Sequence, residues 1–142
     1  MNRIVTLSAA VLTAFALAFA PGIASASTSP EAMHAKLVNG TGAIAPSASD
    51  LVPLVGMYTS AELGRFGGAT SVDVFRLPNT YTGKDIDRLQ TAMTDNSAEI
   101  AKLRTALSSD TAIANWFKAN KVQIKDVVAV SAMDGKASVY LQ

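Results

Sequence analysis

The chain has 142 residues, with 12 Lys and Arg against 11 Asp and Glu, one histidine and no cysteine. The missing cysteines exclude a disulfide scaffold, thiol catalysis and cysteine-ligated metal. A near-neutral balance argues against nucleic acid or an anionic membrane surface as the main partner.

Residues 1–26 come first and have the form of a secretory signal peptide. Met1-Asn2-Arg3 is a short basic start, Ile4 to Ala20 is an apolar run, and Pro21-Gly22 breaks it before Ala24-Ser25-Ala26. The small residues suit a signal peptidase, and cleavage after Ala26 fits best. Thr6, Ser8 and Thr13 dilute the run and no basic stop signal follows closely, which favours a cleaved leader over a membrane anchor. The expectation is an exported, soluble protein, periplasmic or extracellular, with no stable membrane insertion after cleavage. Arg3 is the leader's only charged residue, so residues 27–142 are formally neutral.

Residues 27–70 read as an irregular segment with short helices. Ser29-Pro30-Glu31 predicts a helix running to about Val38 and stopping at Asn39-Gly40. Thr41 to Asp50 is loop-like. Leu51 to Val55 is apolar, but Pro53 makes it an edge strand or a buried extended segment. Thr59-Ser60-Ala61-Glu62 fits a capping box whose helix is closed by Gly67-Gly68.

Residues 71–142 read as the ordered α+β domain. A strand is predicted near 71–77, ended by Pro78-Asn79. Helices follow near 84–94 (Ile86, Leu89, Met93 on one face), near 97–108 (Ile100, Leu103, Leu107) and near 110–120 (Ile113, Trp116, Phe117). Asn96 and Glu99 suggest a second capping box. A hairpin spans 126–141, because Asp134-Gly135 suits the two positive φ angles of a type I′ turn. Its register opposes Ala132 to Ala137, Val130 to Val139 and Val128 to Leu141, and these six share one face. The other face carries Val127, Ala129, Ser131, Met133, Lys136, Ser138 and Tyr140. The fold expected is two-layer α+β: a small antiparallel sheet covered on one face by the three helices. Which hairpin strand pairs with residues 71–77 stays open.

The pattern Asp85-Ile86-x-x-Leu89, Ile100-x-x-Leu103-Arg104-x-Ala106-Leu107, Asp126-Val127-Val128-Ala129-Val130 and Asp134-Gly135 resembles that of small exported bacterial proteins of unknown function. The resemblance covers about residues 84–142. Its residues are core and turn positions, so it implies fold and export and brings no catalytic residue.

No arrangement of side chains singles out a catalytic, cofactor or metal site. His34 reads as an exposed helix histidine, and one His without Cys is too few ligands for zinc. Asp85 and Asp87 point to different sides of a helix start, where the dipole explains them; Asp73 with Asp126 is another carboxylate pair to consider. Gly40-Thr41-Gly42-Ala43-Ile44-Ala45 spells a dinucleotide pattern, but a preceding helix would be the wrong context. Gly64-Arg65-Phe66-Gly67-Gly68 suggests an anion nest, yet helix termination explains it more simply. Trp116-Phe117 reads as core. The sheet face with Ser131, Ser138 and Tyr140 is the candidate binding surface.

The function expected is a non-enzymatic binding or interaction module of the cell envelope, with no cofactor. Its partner would be an envelope or extracellular protein or polymer. One alternative is a small periplasmic hydrolase using carboxylates, in a cleft between residues 27–70 and the core. The other is a secreted inhibitor-like factor using residues 41–56 as a protruding contact.

Overall fold

A computed structural model describes residues 32–38 and 44–142. The predicted signal peptide, the helix start at Ser29-Pro30 and residues 40–43 of the glycine pattern lie outside them.

The expected helix ending at Val38 is replaced, in its described part, by extended chain. Residues 32–35 are irregular and Lys36–Val38 is a strand, β1. Met33 and Leu37 are four residues apart, which would put them on one helix face but also on one side of extended chain, where Leu37 is half-buried against the core. Met33 and Ala35 alternate inward along extended chain, and the Ala35 carbonyl accepts a bond from Trp116 Nε1 at 2.8 Å. A buried tryptophan N–H needs an acceptor, and this one ties the start of β1 to the core.

Next come α1 (Ala48–Leu51) and a 3-10 turn at Val52–Leu54. The strand or extended segment expected at 51–55 is therefore not formed. Pro53 sits in the opening of the 3-10 turn, where its missing N–H costs nothing. Ser47 Oγ caps α1 by accepting from Asp50 N–H at 3.2 Å. Helix α2 (Ser60–Gly67) has the predicted capping box: Thr59 N–H donates to Glu62 Oε2 (2.9 Å), and Glu62 N–H to Thr59 Oγ1 (3.1 Å).

Strand β2 (Ser71–Arg76) runs into a one-turn helix, α3 (Leu77–Thr80). Helices α4 (Lys84–Asp95), α5 (Ser97–Ser109) and α6 (Thr111–Ala119) then follow, close to their predicted spans. The capping box expected at Asn96 is absent. Asn96 Nδ2 donates back to the Ala92 carbonyl (3.0 Å), closing α4 instead, and Glu99 pairs with Lys102.

Strands β3 (Val127–Met133) and β4 (Lys136–Leu141) form the predicted hairpin. Asp134 (φ 52°) and Gly135 (φ 75°) supply the two positive angles.

The α+β class holds, but the sheet is mixed rather than antiparallel. Its four strands lie in the order β1-β2-β4-β3, with β1 and β4 parallel to β2 and only β3–β4 antiparallel. Thr70 sets the β2 register on β4, since its N–H and hydroxyl both donate to the Gly135 carbonyl (2.8 and 3.0 Å).

The hairpin register matches expectation at Ala132–Ala137 and Val130–Val139. Near the base a bulge puts Val127, not Val128, opposite Leu141. An extra residue swaps the side on which neighbours point. Val127 thus joins the face of Val130 and Ala132, while Val128 and Ala129 both turn to the other face.

That second face is not bare. The first core gathers Phe66, Val72, Leu103, Leu107, Ile113, Trp116, Phe117, Val130 and Val139. The second gathers Leu51, Val55, Phe75, Leu77, Leu89, Ile100, Val128 and Tyr140. Helix α4, expected on the same face as α5 and α6, contributes Leu89 and Ala92 to the second core. Helix α5 serves both cores, sending Ile100 to one and Leu103 and Leu107 to the other. It passes the outer edge of β3, where Arg104 Nε donates to the Val127 carbonyl (2.7 Å). Gly56 N–H covers the next carbonyl, that of Val128, at 2.9 Å. Those two bonds blunt an edge that would otherwise offer itself to another strand. Residues 44–70 supply Leu51, Val55 and Phe66 to these cores, so they are part of the same compact unit as residues 71–142.

Candidate functional site

The three residues of the expected binding surface do share the second sheet face, but they separate by burial. Ser131 and Ser138 oppose each other across β3–β4 and are half-buried, with Asp73 level beside Ser138 on β2. Tyr140 is only 4% exposed. Its ring stacks on Phe75, with centroids 5.4 Å apart and planes 15° from parallel. Burial, with the nearby Asp73 charge, raises its pKa against the lowering effect of a hydrogen bond with Ser138. Tyr140 is therefore a core residue. The open part of this face is a polar patch of Ser131 and Ser138 ending in Met133, which is 69% exposed.

Other candidates are dispersed. His34 is exposed in the extended run before β1. Asp85 and Asp87 are exposed in the first turn of α4. Asp73 lies level with Ser138, whereas Asp126 lies beyond Leu141, at the other end of the hairpin ladder. At about 3.3 Å per residue that separates them by roughly 10 Å along the strands alone. Gly64 and Gly67 are inside α2 and Gly68 caps it. Trp116 and Phe117 are buried, with Phe66 packed on both rings. A strand, rather than the expected helix, precedes the glycine pattern at 40–45. The described part of the 41–56 loop lies on the core: Ala48, Leu51 and Val55 are buried, and Tyr81 Oη donates to the Pro46 carbonyl at 2.6 Å. Among the described residues no three His, Cys, Asp or Glu side chains cluster as metal ligands, and no helix is long and apolar enough to cross a membrane.

A feature with the shape of a binding site lies elsewhere, at the carboxyl ends of β1 and β2. Strand β1 pairs with β2 only over Ser71–Asp73, while β4 pairs with it over Ser71–Arg76. Among the described residues, no strand flanks Val74–Arg76 on the β1 side. The resulting notch is a cavity of about 540 Å³. Its described lining comprises the strand residues Leu37, Val74, Phe75 and Arg76, with Ala45, Asn79 and Thr80 from the segments around α1 and α3, and Asn120, Lys121 and Val122 from the end of α6.

Two of these segments are chain stops. Beyond Arg76, Pro78 ends the strand and opens α3, and Thr80 Oγ1 donates to the Arg76 carbonyl at 2.9 Å. Helix α6 ends in a Schellman motif. Lys121 N–H donates to the Lys118 carbonyl (3.2 Å) and Val122 N–H to that of Phe117 (3.0 Å). Asn120 Nδ2 donates to the Trp116 carbonyl at 2.8 Å. The motif puts its next residue in the left-handed region, where glycine is usual. Here that residue is Lys121, at φ 58°.

None of these lining residues is acidic, and two are cationic. Among the described residues the only ion pair is the exposed Lys102–Glu99 contact at 2.9 Å, so Arg76 and Lys121 have no carboxylate neutralising them there. Open parallel strands place ligands at their carboxyl ends, beyond the sheet, and a concave site of this size suits a small molecule.

Arg76, Asn79 and Lys121 were not selected from sequence. The stop signals Pro78-Asn79 and Asn120-Lys121 are legible one by one, but only the parallel pairing of β1 and β2 brings the two together.

No protein-family model, curated protein or solved structure matches this chain.

Proposed function

We propose that this protein is an exported, non-enzymatic binding module that takes up a small molecule, or a small group on an envelope or extracellular component, in the notch beyond β1. The observation that carries the reading is the cavity at the carboxyl ends of the parallel strands, lined by two cations and two asparagines. Among the described residues its lining has no carboxylate, histidine or cysteine to act as base or nucleophile, which is why binding is proposed rather than carboxylate hydrolysis. A protruding inhibitory loop lacks support, because residues 44–56 lie on the core.

Export rests on the form of residues 1–26 and on the resemblance to small exported bacterial proteins. Mass spectrometry of the protein expressed with its leader in a bacterium should find it outside the cytoplasm with Ser27 as first residue. Retention in the cytoplasm with Met1 or Asn2 at the N-terminus would contradict export. For binding, a thermal-shift screen of small charged and neutral compounds should raise Tm with some of them, as a ligand bound only by the folded state must. Hits should lose their effect when Val74→Trp fills the notch, provided that variant keeps the native circular dichroism spectrum.

A further inference from the structure

We infer that the ligand of the notch is an oxyanion carrying about two negative charges, a phosphate or paired carboxylates, held between Arg76 and Lys121. This rests on the binding reading above and goes further, by naming the chemistry recognised.

Two observations point the same way. The first is charge. The chain as a whole is close to neutral, yet among the described residues this cavity gathers Arg76 and Lys121 and no acid. Cations sharing a concavity repel each other, and an anion between them turns that repulsion into two attractions. Arg76 offers a planar fork matched to an oxyanion, and Lys121 a compact point charge. Asn79 adds an amide donor, and among the described residues no strand pairs with the backbone edge of Val74–Arg76 on the β1 side. Asn120 already spends its amide on Trp116, so it orients the lining.

The second is conformation. Lys121 holds the left-handed position of a Schellman motif that glycine fills at lower cost. Lysine is a poor residue there by intrinsic preference. What it adds over glycine is a flexible stem ending in a positive charge, in the lining of the cavity. A strained backbone beside a concave site is the pattern expected where binding, and not stability, selects the residue.

The two roles of Lys121 make the test sharp. Lys121→Gly should raise Tm by roughly 2–4 °C, by relieving the left-handed strain. It should also weaken anion binding about tenfold, the usual scale for one charge-assisted contact. Arg76→Gln should weaken binding by a similar factor or more. Lys136→Gln, at the far end of β4, should leave binding unchanged. Pyrophosphate, inorganic phosphate and citrate are the probes, titrated calorimetrically against the intact exported protein, with glucose as the neutral control. Tighter binding of the two phosphates than of citrate selects phosphate; the reverse selects carboxylate.

Anion affinity that is insensitive to Lys121→Gly and Arg76→Gln, or equally sensitive to Lys136→Gln, overturns the inference. So does saturation by glucose with no response to any anion, though the notch then survives as a site for neutral ligands. If neither anions nor neutral compounds bind at the notch, this inference and the binding reading fall together.

Discussion

Tyr81 shows how a single side chain couples this fold to pH. It closes the one-turn helix α3, its ring is buried, and its hydroxyl donates to the Pro46 carbonyl. Burial is the main cause that pushes its pKa up to about 12, with smaller contributions from Tyr140 and Asp85. The unfolded value is about 10, so the unfolded chain releases this proton first as pH rises. The associated stability is whole below about pH 10 and is lost on the way to about pH 12. Thermal melts between those values should show a falling Tm. Tyr81→Phe should flatten that fall and lower the stability at pH 7 by about 1 kcal/mol for the lost hydrogen bond. An unchanged alkaline slope in the variant would mean that Tyr81 is not the group responsible.

At the scale of elements, glycines in two local settings make opposite predictions. Gly56 has φ 76°, and a Cβ there would meet Glu99 Cβ at 3.0 Å and Ile100 N at 3.1 Å, as the loop passes the start of α5. Gly56→Ala should therefore destabilise by about 2 kcal/mol or more, through strain and crowding, and loosen the bond to Val128. Gly64 sits on the exposed side of α2 with nothing within 4 Å. There alanine should stabilise by roughly 0.5–1 kcal/mol. Chemical denaturation of the two variants checks both signs, and equal shifts would contradict the local geometry.

Elements whose boundaries rest on local chemistry were legible before the structure. Thr59 with Glu62 at the start of α2 and Asp134-Gly135 in the hairpin each act within a few residues of themselves. What escaped depended on distant partners. Met33 and Leu37 carry a spacing that fits a helix or a strand, and β2 with Trp116 decides in favour of extended chain. The bulge at Val127–Ala129 goes with two donors from elsewhere, Gly56 and Arg104, which the hairpin's own alternation cannot announce. Ser131 and Ser138 were placed on the right face, but Tyr140 was buried by α4 and α1, which had been expected on the other side or not at all.

In the whole molecule, a mixed sheet lies between two cores, and α5 links them past the β3 edge. The interior is apolar throughout, with no buried charged or polar residue among those described. Charge is thus left for the surface, and at the notch beyond β1 two cations line a cavity with no acid among its described residues. The measurement that bears most directly on this is backbone amide chemical-shift mapping of the 15N-labelled protein during a pyrophosphate titration. Val74 to Arg76, Asn79, Thr80 and Asn120 to Val122 should shift together along one saturable curve, while Ser131 and Ser138 stay still. Saturable shifts centred on Ser131 and Ser138, or no saturable shift at the notch with pyrophosphate, citrate or neutral compounds, would contradict a binding site at the carboxyl ends of the parallel strands.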